Sequence, residues 1–529
     1  MGKASTVTPA LLGKTPDKSA GLTATLSKNM ALSLARVAVN SLIALVLPAY
    51  LTHHLPVTTY GAWVLILQLG AIVSFLDFGV QTGVAKFVAE YDARDDEAGA
   101  GRYASAGLAI MALAGSLGLG LTLILAWQVP RLFHNMPASL YQDVRISVVL
   151  VGTSLSFGLA CSVFSAVFLG LQRYAVPMGI AILNRTSFTA AVLVAVFLHS
   201  SLAAMGAAVA LVNVATGLLQ VFAWRQMASR IRVSLALVDS RALKRMTRYC
   251  SLLAIWTVGM VCVSGLDVTI VGHYAYNETA YYSIATLPTN FMILIISSML
   301  GPMMPASSAL STQRSASEMG EILARTTRYS TMLLLLTGLP LVVCGFPILR
   351  LWVGPVYALH SLTYLRILVV ANILRNLCAP YATMIAATGK QGAVIVAPIL
   401  EAVVNLGSSI YLASRFGAIG VAFGTLLGSF VSVCLHFAVS MHLTHQTLAI
   451  SRTELFLRGL FRPAVVTVPS VILLPLWWFS SRMISRPSVA VLWGLSTLLL
   501  AWFGNLNREE RSKLVHFTKS RLMPSISPG

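Results

Sequence analysis

Eight polar or ionisable residues stand inside long apolar runs of this 529-residue chain and are its candidates for chemistry: Arg36, Asn40, Asp77, Asn184, Arg185, Asp267, Arg375 and Glu401. An ion at the centre of a bilayer costs about 2.5 kcal/mol or more, so each charged one must face a partner, a cavity or an interface. Three are carboxylates able to take up a proton or attract a cation. Glu401, in APILEAVVN, lies near the middle of its run, shares a helix face with Asn405 four residues on, and is the best candidate for a protonatable coupling group. Asp267, in VSGLDVTIVGHY, sits toward the outer end of its run, where an ion-coupling role competes with a structural hydrogen bond. Asp77, in FLDFGVQTGVAKFVAEY, lies near an inner end, where it can act as a gate paired with Arg36 or as a capping carboxylate.

The cations suggest a second kind of chemistry. Arg36 has Asn40 one turn further on, Arg185 adjoins Asn184, and Arg375 lies near Asn372 and Asn376. Arg366, nine residues before Arg375, falls on the opposite side of the same helix and reads as an interface residue. With three acids against four arginines, a cavity accepting an anionic ligand would balance the charge, and the planar guanidinium fork matches phosphate oxygens. Pairing across helices is the competing account for each arginine.

These residues need a membrane scaffold. The chain is 57% hydrophobic and 10% charged, with a mean hydropathy of +0.79, against roughly a quarter charged in ordinary soluble domains. About 20 apolar residues cross a bilayer. On that measure fourteen spans are expected, near 30–52, 61–84, 103–127, 146–170, 175–198, 203–224, 249–272, 281–305, 329–352, 361–385, 391–413, 418–443, 463–481 and 488–505. The fold class expected is therefore an all-α integral membrane protein, two six-helix lobes plus two extra C-terminal helices.

The net charge of +20 reports topology rather than a nucleic-acid partner. Most Lys and Arg fall in the leader, in alternate loops, between Arg225 and Arg248, and in the tail, which places both termini in the cytoplasm. The expected divisions are a leader at 1–29, an N-lobe at 30–224, a basic linker at 225–248, a C-lobe at 249–443, two further spans within 444–505 and a basic tail at 506–529. Tyr60 and Tyr281 are 221 residues apart, and so are Asn184 and Asn405, which suggests parallel repeats related by an axis along the membrane normal. Eight prolines, among them Pro288, Pro340 and Pro398, interrupt spans and permit kinks.

Six cysteines in or beside apolar runs show no metal or disulfide spacing and read as packing residues. No Walker A loop, HExxH or Gly-x-Ser-x-Gly motif is present, so neither an ATPase nor a soluble-type hydrolase is expected, and no cofactor beyond a proton or sodium gradient.

The run LPAYLTHHLPVTTYGAWVLILQLGAIVSFLDFGVQTGVAKFVAEYDARDD resembles the first two spans of Wzx-type O-antigen and exopolysaccharide flippases. LDVTIVGHYAYNETAYYSIATLP looks like that family's seventh span and the segment after it, and IGVAFGTLLGSFV like its twelfth. The wider multidrug/oligosaccharidyl-lipid/polysaccharide exporter superfamily also holds drug extruders and the lipid II flippase. The resemblance implies two lobes, alternating access and a cationic cavity for a lipid-linked sugar diphosphate. It places polar residues at Arg36, Asp77 and Asp267, whereas Arg185, Arg375 and Glu401 rest on burial and chemistry.

The expectation is thus an inner-membrane flippase, not an enzyme. It would translocate undecaprenyl-diphosphate-linked oligosaccharide, alongside a polysaccharide polymerase and a chain-length regulator. Arg36, Asn40, Asn184, Arg185 and Arg375 would bind the head group, while Glu401, Asp267 and Asp77 would serve coupling and gating. The alternatives are a cation-coupled small-molecule extruder, which two cavity arginines would disfavour, and a lipid II flippase. A membrane glycosyltransferase or polymerase would need larger and more acidic outer loops.

Overall fold

The computed structural model describes residues 39–468 except 312–313, together with 493, 495–496, 499–505 and 511–512. Arg36, the leader, nearly all of the tail and most of the two expected C-terminal spans lie outside the described residues.

Every regular element described is helical. In chain order the first half comprises α1 (39–54), α2 (Val57–Ser74), α3 (Val80–Asp92), α4 (Glu97–Leu132), α5 (Tyr141–Gly170), α6 (Ala175–Phe197) and α7 (Leu202–Met227). The second half comprises α8 (Ser240–Met260), α9 (Asp267–Tyr274), α10 (Thr279–Leu300), α11 (Met303–Ser311), α12 (Ala316–Val343), α13 (Gly345–Val353), α14 (Pro355–Leu377), α15 (Ala379–Ala387), α16 (Val396–Phe416) and α17 (Ala418–Leu435). Eleven segments are long and apolar enough to cross a membrane, and α1 is the described part of the expected first span. The chain has the architecture of a multi-pass membrane protein.

The ninth span departs from its expected limits of 329–352. It starts at Ala316 and ends at Val343, and α13 is a separate short helix. The charge in EILARTTR argues on sequence grounds for a span that begins only after it. The fold instead starts the helix at a capping box, in which Ser315 and Glu318 satisfy each other's backbone N–H, and buries Arg328.

Buried apolar side chains fall into three clusters. The largest draws on both halves, with Tyr60, Trp63 and Leu69 of α2 meeting Val271, Tyr276, Ile284 and Tyr357. Several of its contacts between halves lie toward the end of the bundle remote from the 228–239 linker. There Tyr276 OH donates to Thr58 O at 2.8 Å, His273 Nδ1 contacts Leu132 O at 2.5 Å, and the Tyr60 and Tyr357 rings meet edge to face at 6.1 Å. At the linker end two separate cores form instead. One is built on α3, α4 and α5 and takes in Ala242, Met246 and Cys250 of α8, spaced four residues apart. The other gathers Met319, Leu323, Tyr381, Met384 and Met441 in the second half. The halves are joined at the far end, and at the linker end α8 of the second half packs into the first of these two cores.

The basic linker folds back on the first lobe. Arg230 pairs with Asp92 at 2.8 Å and Glu97 at 3.7 Å, and Arg245 reaches Glu90 at 3.3 Å and Tyr103 OH at 3.2 Å. Residues 240–250, divided at 248/249 on sequence grounds, therefore pack as one helix against α3 and α4.

Candidate functional site at two broken spans

Two spans lose regular helix where the lobes meet. Between α2 and α3 the chain makes a 3-10 turn, Phe75–Asp77, followed by Phe78 at φ 43° and Gly79 at φ 75°. Glycine takes this left-handed conformation without a Cβ penalty. Asp77 sits inside the turn, and its Oδ1 accepts from the Gln81 N–H at 3.3 Å, a capping interaction at the start of α3. Its charge also reaches Cys250 of α8.

Between α8 and α9 the seventh span passes through a π-turn, Val261–Gly265, in a stretch rich in β-branched and small residues. A Cβ at Gly265 would stand 3.3 Å from the Phe75 ring, so the two breaks face each other across the lobes. Freed carbonyls here are taken up by amides: Gln68 of α2 donates through Nε2 to Gly265 O, and Asn405 of α16 donates to Val263 O at 2.8 Å. The backbone polarity of the break is thus satisfied from both lobes.

Asp267 begins α9, at the positive end of its helix dipole, and is buried. Its Oδ2 accepts from Thr425 Oγ1 of α17 at 3.3 Å and from Tyr282 OH of α10 at 3.5 Å. Thr425 reaches it because α17 packs closely on α16 through Gly424 and Gly428. A Cβ at Gly428 would stand 2.7 Å from that of Asn405. Arg375 of α14 reaches Asp267 electrostatically and is hydrogen bonded through Nε to Glu401 Oε1 at 2.5 Å. Glu401 is buried in the second turn of α16, with the Cys378 thiol near it. Nη2 of Arg375 is buried without a hydrogen-bond partner, as is Asn372 Oδ1 one turn earlier.

The eight candidates therefore separate. Asp267, Arg375 and Glu401 lie in one region of the second lobe, where Arg375 is bonded to Glu401. Asn184 and Arg185 lie on α6 of the first lobe, where Asn184 donates to Thr216 Oγ1 at 2.8 Å and Arg185 stands 5.5 Å from the Phe188 ring. Among the described residues no carboxylate pairs with Arg185. Asn40 is half-buried on α1. Asp77 stands apart from the acid cluster, and its expected partner Arg36 lies outside the described residues. Arg366 donates to Val342 O at 2.9 Å and is exposed.

Gln68, Tyr282 and Thr425 complete the site and were not singled out from sequence. A signal existed for Gln68, the one amide in WVLILQLGAIV, whereas Thr425 is an ordinary residue of a Gly-rich span.

No family model matches the chain, and no curated protein matches it either. Among solved structures it is similar to the lipid II flippase MurJ in an inward closed conformation, with 11% identity, 93% of this chain and 100% of that one covered, and a TM-score of 0.67. It is also similar to an inward-facing multidrug resistance MATE family transporter of the MOP superfamily, with 15% identity, 79% and 99% covered, and a TM-score of 0.64. A MOP superfamily transporter from Pyrococcus furiosus, described as having a binding pocket of reverse polarity, matches at 15% identity over 80% and 95%, with a TM-score of 0.55. The chain has the fold of the MOP-superfamily transporters.

Proposed function

We propose that the protein is a bacterial inner-membrane flippase that moves an undecaprenyl-diphosphate-linked oligosaccharide repeat, of O-antigen or exopolysaccharide type, between leaflets by alternating access. The observation that carries this reading is Arg185, a half-buried guanidinium within a span that has no carboxylate partner among the described residues. In a fold whose lobes are joined at one end, such a charge suits an anionic head group better than a cationic drug. Asn184 and Asn40 of the same lobe offer further polar groups, Arg36 is assigned with them, and Arg375 lends its unpartnered Nη2.

The linker end is assigned to the cytoplasmic side. The head group enters between the two linker-end cores while the isoprenoid tail stays in lipid. Rocking of the lobes about the two facing breaks then closes the linker end and parts the far end. No covalent bond changes. Asp267 and Glu401 are assigned to proton or sodium coupling, with Asp267 the stronger candidate because Arg375 is bonded directly to Glu401. Asp77 is assigned to the inner mouth. A polymerase and a chain-length regulator are the expected partners at the outer face.

The test is rescue of surface polysaccharide in a strain lacking its own flippase. Restored polymer, lost again with Arg185→Ala at unchanged protein level, supports the reading; wild-type export by Arg185→Ala overturns the anion-binding role. Transport of lipid II is the second reading, because the flippase neighbour spans 93% of the chain. Rescue of a lipid II flippase depletion with no polysaccharide rescue would decide for it.

A further inference from the structure

Outside the central site, a groove of about 440 Å³ opens between α4 and α5 on the flank of the first lobe. Its shape follows from sequence. Deeper in the pair the helices touch through small residues, so that a Cβ at Gly115 would lie 2.6 Å from Ser156 O. Toward the far end the facing positions carry larger groups. From α4 come Leu123, Ala126 and Trp127, and from α5 come Gln142, Arg145, Ile146, Val149 and Leu150. Positions 142, 145, 146 and 149 fall on one helix face, whereas Asp143 is turned some 200° from Arg145.

The groove is chemically graded along its length. Leu123, Ile146, Val149 and Leu150 make an apolar wall toward the middle of the bundle. Gln142 and Arg145 stand near the far end, beside the Trp127 ring, which is 60% exposed and carries Arg131 at 5.1 Å on its face. Both Gln142 and Arg145 are exposed, and among the described residues Arg145 has no carboxylate partner. An aromatic residue and arginines at the end of a spanning helix mark the head-group level of a bilayer. The volume falls within the range of small-molecule sites.

We propose that this groove holds one anionic phospholipid, its phosphate on Arg145 and Gln142 with Arg131 close by, its glycerol region against Trp127 and one acyl chain along the apolar wall. The cationic end sets the charge preference, and the apolar wall favours a ligand that carries an acyl chain over a soluble anion. The site is independent of the central cluster and of the transport reading.

The full-length protein is reconstituted in nanodiscs of mixed phosphatidylglycerol and phosphatidylcholine, and retained lipid is read by native mass spectrometry. The wild type is expected to keep one phosphatidylglycerol in preference to phosphatidylcholine. Reversing the charge at the head-group level means that Arg145→Glu should lower that retention about tenfold or more. Arg145→Lys should keep most of it, and Trp127→Ala should weaken retention of both lipids. Equal retention by wild type and Arg145→Glu, or no preference over phosphatidylcholine in the wild type, overturns the proposal. A thermal melt in phosphatidylcholine alone confirms that the variants are folded; if Arg145→Glu is not, Arg145→Gln carries the same comparison.

Discussion

Arg375 and Glu401 are joined Nε to Oε1 at 2.5 Å between α14 and α16, with side chains 18% and 7% exposed. A pair this buried contributes little net stability, because desolvation offsets most of the attraction, but removing one member leaves the other charge stranded. The pair also settles the balance in the second lobe. Asp267 lies outside that pair and takes its hydrogen bonds from Tyr282 and Thr425.

From this follows a pair of unequal effects. Glu401→Leu alone should destabilise the protein by about 3–5 kcal/mol, whereas Arg375→Met with Glu401→Leu should recover most of the loss. Thermal melts in detergent measure both, and Glu401→Gln tests function. Full export by Glu401→Gln with unchanged pH dependence would remove Glu401 from coupling and leave it a structural partner of Arg375.

The amides at the broken seventh span give a second expectation. Gln68→Leu leaves Gly265 O unpaired and Asn405→Leu leaves Val263 O unpaired, at a cost of about 1–3 kcal/mol each. Gln68 comes from the other lobe, so its loss should alter the balance between inward and outward states as well as stability. Export rates scaled to folded protein should fall more for Gln68→Leu than for Asn405→Leu. Equal losses would mean that Gln68 only stabilises the break.

Asp77 separates capping from charge. If its role is to hold the start of α3, Asp77→Asn should keep export and stability, and Asp77→Ala should lose about 1 kcal/mol. If it pairs with Arg36, Asp77→Asn should fail like Asp77→Ala, and an Asp77→Arg, Arg36→Asp double variant should regain function. Export assays on the three variants distinguish the two accounts.

The expected all-α class and most span limits were legible because long apolar runs leave few alternatives. The charge in EILARTTR hides the start of the ninth span, although Ser315-Ala-Ser-Glu318 carries a helix-start signature. The candidate site was legible one residue at a time. Burial argues that Glu401 needs a partner, but choosing Arg375 requires knowing that α14 and α16 bring those faces together. The breaks were the least visible feature. The sequence FLDFG hints at one through its glycine, yet nothing in VCVSGLD announces that Gln68, nearly two hundred residues away, will take up its carbonyl.

The far-end seal offers the most direct test of the conformational cycle. A Cβ at Gly61 would stand 3.8 Å from that of Ala280, across the two lobes and 3.6 Å from the Ala280 nitrogen. That Cβ separation is the mean for a disulfide, and the contacts around it are ordinary van der Waals ones. In a background with the six native cysteines replaced, Gly61→Cys with Ala280→Cys should therefore oxidise readily and hold the far end shut. Export should stop on oxidation and return with reductant, while either single variant is indifferent to both. A cross-linked protein that still exports would show that the lobes need not part between α2 and α10, and the rocking scheme would fail.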